Sequence, residues 1–178
     1  MNEPEVWLRG PVAGIAPLLQ PVAHSLLQSH AELTSAMSDL TVGELRARPG
    51  GVASIEYHAR HAAGSLDRLT TYARGESLSA AQLAALADEQ VVDARADAVF
   101  NLVAGFHDAV ERALAQLRDT AVESLTDPRE VGRARLPSTV VGLLVHAAEH
   151  TQRHVGQLMT TTRIVKGARG IGRSAAQE

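Results

Sequence analysis

Cysteine is absent from the 178-residue chain, which excludes disulfides, thiolate metal sites and a catalytic thiol supplied by the protein itself. Aromatic residues are scarce, at 3% against 45% hydrophobic residues in all, so Ala, Leu and Val must build the core. Ala and Leu favour helix and allow helices to pack closely. No excess of positive charge is present: 17 basic against 20 acidic side chains give a net charge of −3. A nucleic-acid partner is therefore not expected. Lysine occurs once, at Lys166. The longest weakly polar run, Thr139 to Ala148, falls far short of the roughly 20 residues that span a bilayer. The first residues lack a basic stretch followed by an apolar one, so no secretory signal is expected, and a cytoplasmic location is.

What is present is helical period. The length fits a single domain, 1–178, with a core over about 17–165 and a flexible tail from Lys166. Four long segments each carry one apolar stripe at steps of three and four. The first runs from Pro17 to Asp39 through Leu19, Val22, Leu26, His30, Leu33 and Met37. The second starts at Ser54 as N-cap and runs to Ala73, with Gly75 as its stop. The third spans about Asp93 to Arg118, and its stripe includes Val103, Phe106, Val110 and Leu114. The fourth spans Ser138 to Val165 through Leu144, Ala147, Thr151, His154 and Leu158. Thr41 with Glu44, and Ser79 with Gln82, fit capping boxes that open two short extra helices. Residues 119 to 137 hold Asp127-Pro128, Gly132 and Pro137 and no helical period, as a long crossing connection would. Single stripes must be buried against one another, so the expected fold is all-α: a four-helix bundle with long crossover connections.

Eight histidines stand out, three of them within nine residues: His146, His150 and His154. Neighbours four apart share a helix face, so either adjacent pair can chelate one ion. All three cannot, because eight residues span roughly 12 Å of rise while metal–nitrogen bonds are about 2 Å. With Ala147 as the stripe centre, His154 lies at roughly −20°, His150 at −60° and His146 at −100°. His150 and His154 therefore point into the bundle, and a third ligand must come from another helix. His58 and His61 on the second helix are the candidates, and the same angle arithmetic leans towards His58. The string His146-Ala147-Ala148-Glu149-His150 also matches the inverted zinc-peptidase pattern, with its Glu as general base. Glu149 and Asp67 fall on polar faces, and Arg153 projects to the flank.

The segments Ser54-Ile55-Glu56-Tyr57-His58-Ala59-Arg60-His61-Ala62-Ala63-Gly64-Ser65-Leu66-Asp67-Arg68 and His150-Thr151-Gln152-Arg153-His154-Val155-Gly156-Gln157 resemble the DinB-like metal-binding four-helix bundles. Relatives of that family include the YfiT-type proteins, described as hydrolases. In the family, a His at the end of the first block joins an H-x-x-x-H pair in the second, commonly followed by x-G-Q. Carried over residue by residue, the resemblance implies a metal set of His61, His150 and His154, and so prefers His61 to His58.

Three neutral imidazoles leave a divalent ion its full charge and an open position, as in catalytic rather than structural zinc sites. Such an ion lowers the pKa of bound water to about 7 or deprotonates a thiol. Imidazole suits Zn, Ni, Fe and Cu alike, so the metal stays open. The resemblance further implies thiol-dependent S-transferase, isomerase or hydrolase chemistry on a small electrophile. A low-molecular-weight thiol such as mycothiol or bacillithiol would come from outside, and a homodimer is expected. A metal-stapled module without turnover, and a metal-free bundle with pH-sensitive histidines, are the competing expectations. Gly156 is expected to admit a neighbouring helix, and Gln157 to orient a ligand imidazole.

Overall fold

The computed structural model of the chain describes residues 4–90 and 98–175. Among the described residues, six α-helices and one β-hairpin follow in order: α1 (Gln20–Met37), α2 (Val42–Arg46), α3 (Ile55–Ala73), α4 (Ala80–Ala87), α5 (Ala98–Asp119), β1 (Pro128–Val131), β2 (Leu136–Thr139) and α6 (Val140–Ala175). The fold is thus all-α in its body, and the two short strands form a local hairpin.

The helix ends follow their expected caps. Ser54 accepts from the backbone N–H of Tyr57, and reciprocal capping boxes open α2 at Thr41/Glu44 and α4 at Ser79/Gln82. Pro21 sits in the first turn of α1, where its missing N–H breaks no intrahelical bond. Gly75, at φ 79, takes the left-handed conformation that ends α3.

Four helices form the bundle, in the cyclic order α1–α6–α3–α5. Paired contacts give their directions. Ser29 bonds to Gln152 while Lys166 reaches the Ser38 carbonyl, so α1 and α6 run parallel. Arg112 faces Asp67 and Gln116 faces Thr70, so α5 runs parallel to α3. His58 meets His154 while His61 meets His150, which makes α3 and α6 antiparallel. Parallel neighbours need long crossings, and this is where the unequal connections are spent. The core is mostly aliphatic, with Ala59, Ala62, Ala109, Ala113 and Ala147 at close-packed positions and Phe106 as its one fully buried aromatic.

Two sequence expectations need correction, and a third falls outside the described residues. The start of the third long helix, expected near Asp93, lies outside the described residues; from Ala98 the chain is helical to Asp119. The crossing connection is not wholly irregular, because β1 and β2 pair antiparallel from Pro128↔Thr139 to Val131↔Leu136. This places Ser138 in a strand, and Thr139 caps α6 by accepting from the N–H of Gly142 at 3.1 Å. The strap is anchored by Arg129, which donates to the Ala73 carbonyl at the end of α3.

The fourth long helix does not end near Val165, since α6 continues to Ala175. Lys166 donates to the carbonyls of Ala36 (3.2 Å) and Ser38 (2.6 Å) at the end of α1. Arg169 donates to Glu44 and to the Asp39 carbonyl. Two of the tail's cations are thus committed within the chain, which offsets the poor helix propensity of Gly167 and Gly170.

Candidate metal centre

The α3–α6 interface gathers four imidazoles. Antiparallel packing sets the α3 pair His58 and His61 opposite His154 and His150. Nitrogen atoms of His61, His150 and His154 all lie within 4.8 Å of one another. His61 Nε2 stands 3.0 Å from His150 Nε2. Two bonds of about 2 Å in a tetrahedral site would hold their nitrogens ~3.3 Å apart, so the pair is close to a chelating separation. The three rings are partly exposed, which leaves the cluster reachable from solvent.

His58 is buried at 6% exposure, as the stripe arithmetic expects, yet it is not in the convergent trio. Its Nδ1 instead meets His154 Nδ1 at 3.1 Å. One of those nitrogens must carry the proton and the other accept it. Pattern and resemblance therefore each name a residue at the centre, in different places: His61 converges with the α6 pair, and His58 backs His154.

Burial and mutual repulsion favour the neutral form of three of these rings, His58, His150 and His154. Burial, followed by the charges that His61, His150 and His58 would carry, pushes the His154 pKa down to about 4. His150 is lowered by burial and then by His61 and His146, against a partial opposing pull from Glu149. His58 is lowered by burial and by His61. A neutral imidazole is the metal-binding form, so the donor set suits a divalent ion at neutral pH.

Glu89, just beyond α4, completes the surroundings. It is 8% exposed, accepts from or pairs with His61 Nδ1 at 2.7 Å, and forms an ion pair with Arg68 at 2.6 Å. Burial alone would raise its pKa, but the hydrogen bonds from His61 and Arg68 outweigh that and hold the carboxyl below its ordinary value. Sequence reasoning does not find Glu89, because it belongs to no apolar stripe. The only signal is the capping box at Ser79, which starts the helix that delivers it. Gln82, from that same box, ties the arm to α3 through Asp67 (2.7 Å) and Thr71 (2.8 Å). Tyr57 lies flat against His61 at 5.5 Å and 15°, and meets His58 edge-on.

Other expected residues fall elsewhere. His146 is half exposed, faces Glu149 at 3.4 Å and lies outside the trio, while Arg153 occupies the same Glu149 carboxylate. The inverted-peptidase pattern therefore finds no support in the geometry. Gln157 is exposed and bonds to none of the imidazoles, and a Cβ at Gly156 would meet nothing within 4 Å. The imidazoles find other partners, Glu89 against His61 and His58 against His154, and close helix approach is not the role of Gly156.

Comparison with known proteins agrees with this architecture. A crystal structure of a conserved protein from Enterococcus faecalis superposes with a TM-score of 0.68 at 21% identity, over 84% of this chain and 97% of that one. No curated protein matches the chain. The family model of the DinB superfamily matches residues 25–158, from early α1 to the turn of α6 just after His154. With the fold, the helix order and most of the chain's length in agreement, this protein belongs to the DinB superfamily.

Proposed function

We propose that the chain is a metal-dependent enzyme whose divalent ion is held by His61, His150 and His154. The observation that carries this reading is the convergence of three nitrogen donors, from two helices, within 4.8 Å. A structural zinc site ordinarily has four protein ligands, whereas three leave a position for substrate. When bound, the ion would supply Lewis acidity, giving a water or thiol nucleophile at neutral pH.

The protein's own part is to present the three rings on rigid helices and to fix their orientation. The ion proposed is Zn or Ni, with Fe as the alternative, all of which imidazole donors accept. Because the chain has no cysteine, a thiol nucleophile would be a separate low-molecular-weight molecule. The reading is therefore transfer or isomerisation with an exogenous thiol, or hydrolysis with water, on a small electrophile. It places the protein in the cytoplasm and leaves nucleic acid and membrane out. A homodimer is part of the same proposal.

Metal content measured by mass spectrometry on protein purified without an affinity tag tests the reading. About one ion per chain in the wild type, lost in His61→Ala and in His154→Ala, is expected. The loaded protein is then offered low-molecular-weight thiols with small electrophiles, and water alone. Bound metal that raises thermal stability with no turnover of any pair would favour a metal-stapled module. No metal after incubation with Zn or Ni would end the proposal.

A further inference from the structure

The ligand set accounts for His61 Nε2 but not for what grips the other side of that ring. His61 Nδ1 lies 2.7 Å from Glu89 Oε2. The other oxygen of that carboxylate is 2.6 Å from Arg68 Nη1, and both partners are largely buried, at 8% and 11% side-chain exposure. The pair meets over the surface of α3 at Gly64. A Cβ there would stand 2.8 Å from Arg68 Nη1 and 2.8 Å from Glu89 Oε1. Both clashing atoms are the far ends of long side chains, so a methyl group at 64 would displace the ion pair and leave the helix intact. Glu89 reaches this position from the α4 arm, which is tied to α3 by Gln82 and by Arg60 donating to the Asp88 carbonyl.

We propose that Glu89, steadied by Arg68 over the bare backbone of Gly64, is the positioning residue of the centre. Its carboxylate accepts the Nδ1 proton of His61, which fixes the tautomer with Nε2 free and fixes the plane of the ring. This rests on the metal reading above and adds a carboxylate to it that no histidine pattern contains. Metal-bound imidazoles commonly donate their second nitrogen in this way, and losing the acceptor costs about 10- to 100-fold in metal affinity. A second consequence follows by linkage. If docking of the Glu89 arm tightens the ion, the ion tightens the arm by the same factor.

The test uses the full chain with zinc, titrated against a chromophoric chelator, and with cobalt(II) as a spectroscopic stand-in. Glu89→Gln keeps the size of the side chain and removes its charge. It is expected to bind zinc about 10- to 100-fold more weakly and to shift the cobalt(II) absorption bands. Gly64→Ala is expected to weaken zinc in the same direction while its metal-free thermal stability holds or rises, since Ala is the better helix former. A merely structural role would move stability and affinity together. Zinc should also slow amide exchange over residues 80–89 in the wild type, and not in Glu89→Gln. Unchanged zinc affinity and cobalt spectrum in Glu89→Gln, with the wild type loaded, overturns the role of Glu89 and leaves the three-histidine reading standing. If Glu89→Gln does not fold, the same result in Gly64→Ala decides the question. A wild type that takes up neither metal overturns both.

Discussion

His58 and His154 face each other through their Nδ1 atoms at 3.1 Å across the α3–α6 interface. Because two lone pairs cannot meet at that distance, one ring donates and the other accepts. With the His154 donor to His58 at Nδ1, its Nε2 is left for the cluster. His58→Ala should therefore retain near one metal per chain while weakening affinity about tenfold. His61→Ala and His150→Ala should lose the ion altogether. Metal analysis combined with chelator competition separates the two behaviours.

The metal-free protein should lose stability as acid is added. His154 titrates near 6.5 in an unfolded chain and at about 4 in the folded one. Between those values the unfolded state binds more protons, so stability is complete above about pH 6.5 and falls as pH drops towards 4. His150 and His58, lowered in the same direction, reinforce the trend. Thermal melts of metal-free protein across this range should show Tm falling by several degrees. The fall should be shallower in His154→Gln. Bound metal should delay it to lower pH, because protons and the ion compete for the same nitrogens.

Phe106 is fully buried in a core that is otherwise mostly aliphatic. Phe106→Ala should cost about 3–5 kcal/mol of unfolding free energy, because truncating a fully buried ring leaves a cavity that its neighbours fill only in part. Denaturant unfolding checks the magnitude. A fall below 1 kcal/mol would show that the helices close over the gap.

The extension of α6 past Lys166 depends on cations reaching sideways. Lys166→Ala with Arg169→Ala should raise amide exchange over residues 167–175 and leave global stability and metal content nearly unchanged. Glu44 is the partner to watch, because its hydrogen bond from Arg169 and its capping bonds at Thr41 hold the carboxyl down to about 2. Acidification below the ordinary carboxylate range should therefore release the tail in the wild type, as the double substitution does at neutral pH.

Local chemistry makes much of this fold legible. Ser54, Thr41 and Ser79 announce helix starts because a side-chain oxygen must satisfy the free N–H groups there, and the structure places a helix after each. The stripes locate the bundle because burial and the helical period coincide. The hairpin at Pro128–Thr139 escapes because its strands are four residues long and none of their residues is buried, so no apolar alternation marks them. The tail escapes because its glycines argue for fraying, while the compensating bonds from Lys166 and Arg169 end on residues about 125 to 130 positions earlier. At the centre, periodicity finds His150, His154 and the buried His58. It cannot see His61 from the stripe, or Glu89 at all, because both reach the cluster from outside the apolar faces.

The antiparallel seat of α3 against α6 joins residues 89 positions apart in the chain. A nascent polypeptide emerging from the ribosome carries His58 and His61 long before their counterparts exist, and the α6 pair alone offers an ion only two donors. On the proposed metal reading, capture of the ion would be an event of completion, possible once α6 has packed back along α3. A truncated or half-made chain would hold metal loosely and lose it to any competing chelator. Occupancy would thus distinguish finished molecules from unfinished ones, and a metal-loaded population would by selection be a folded one.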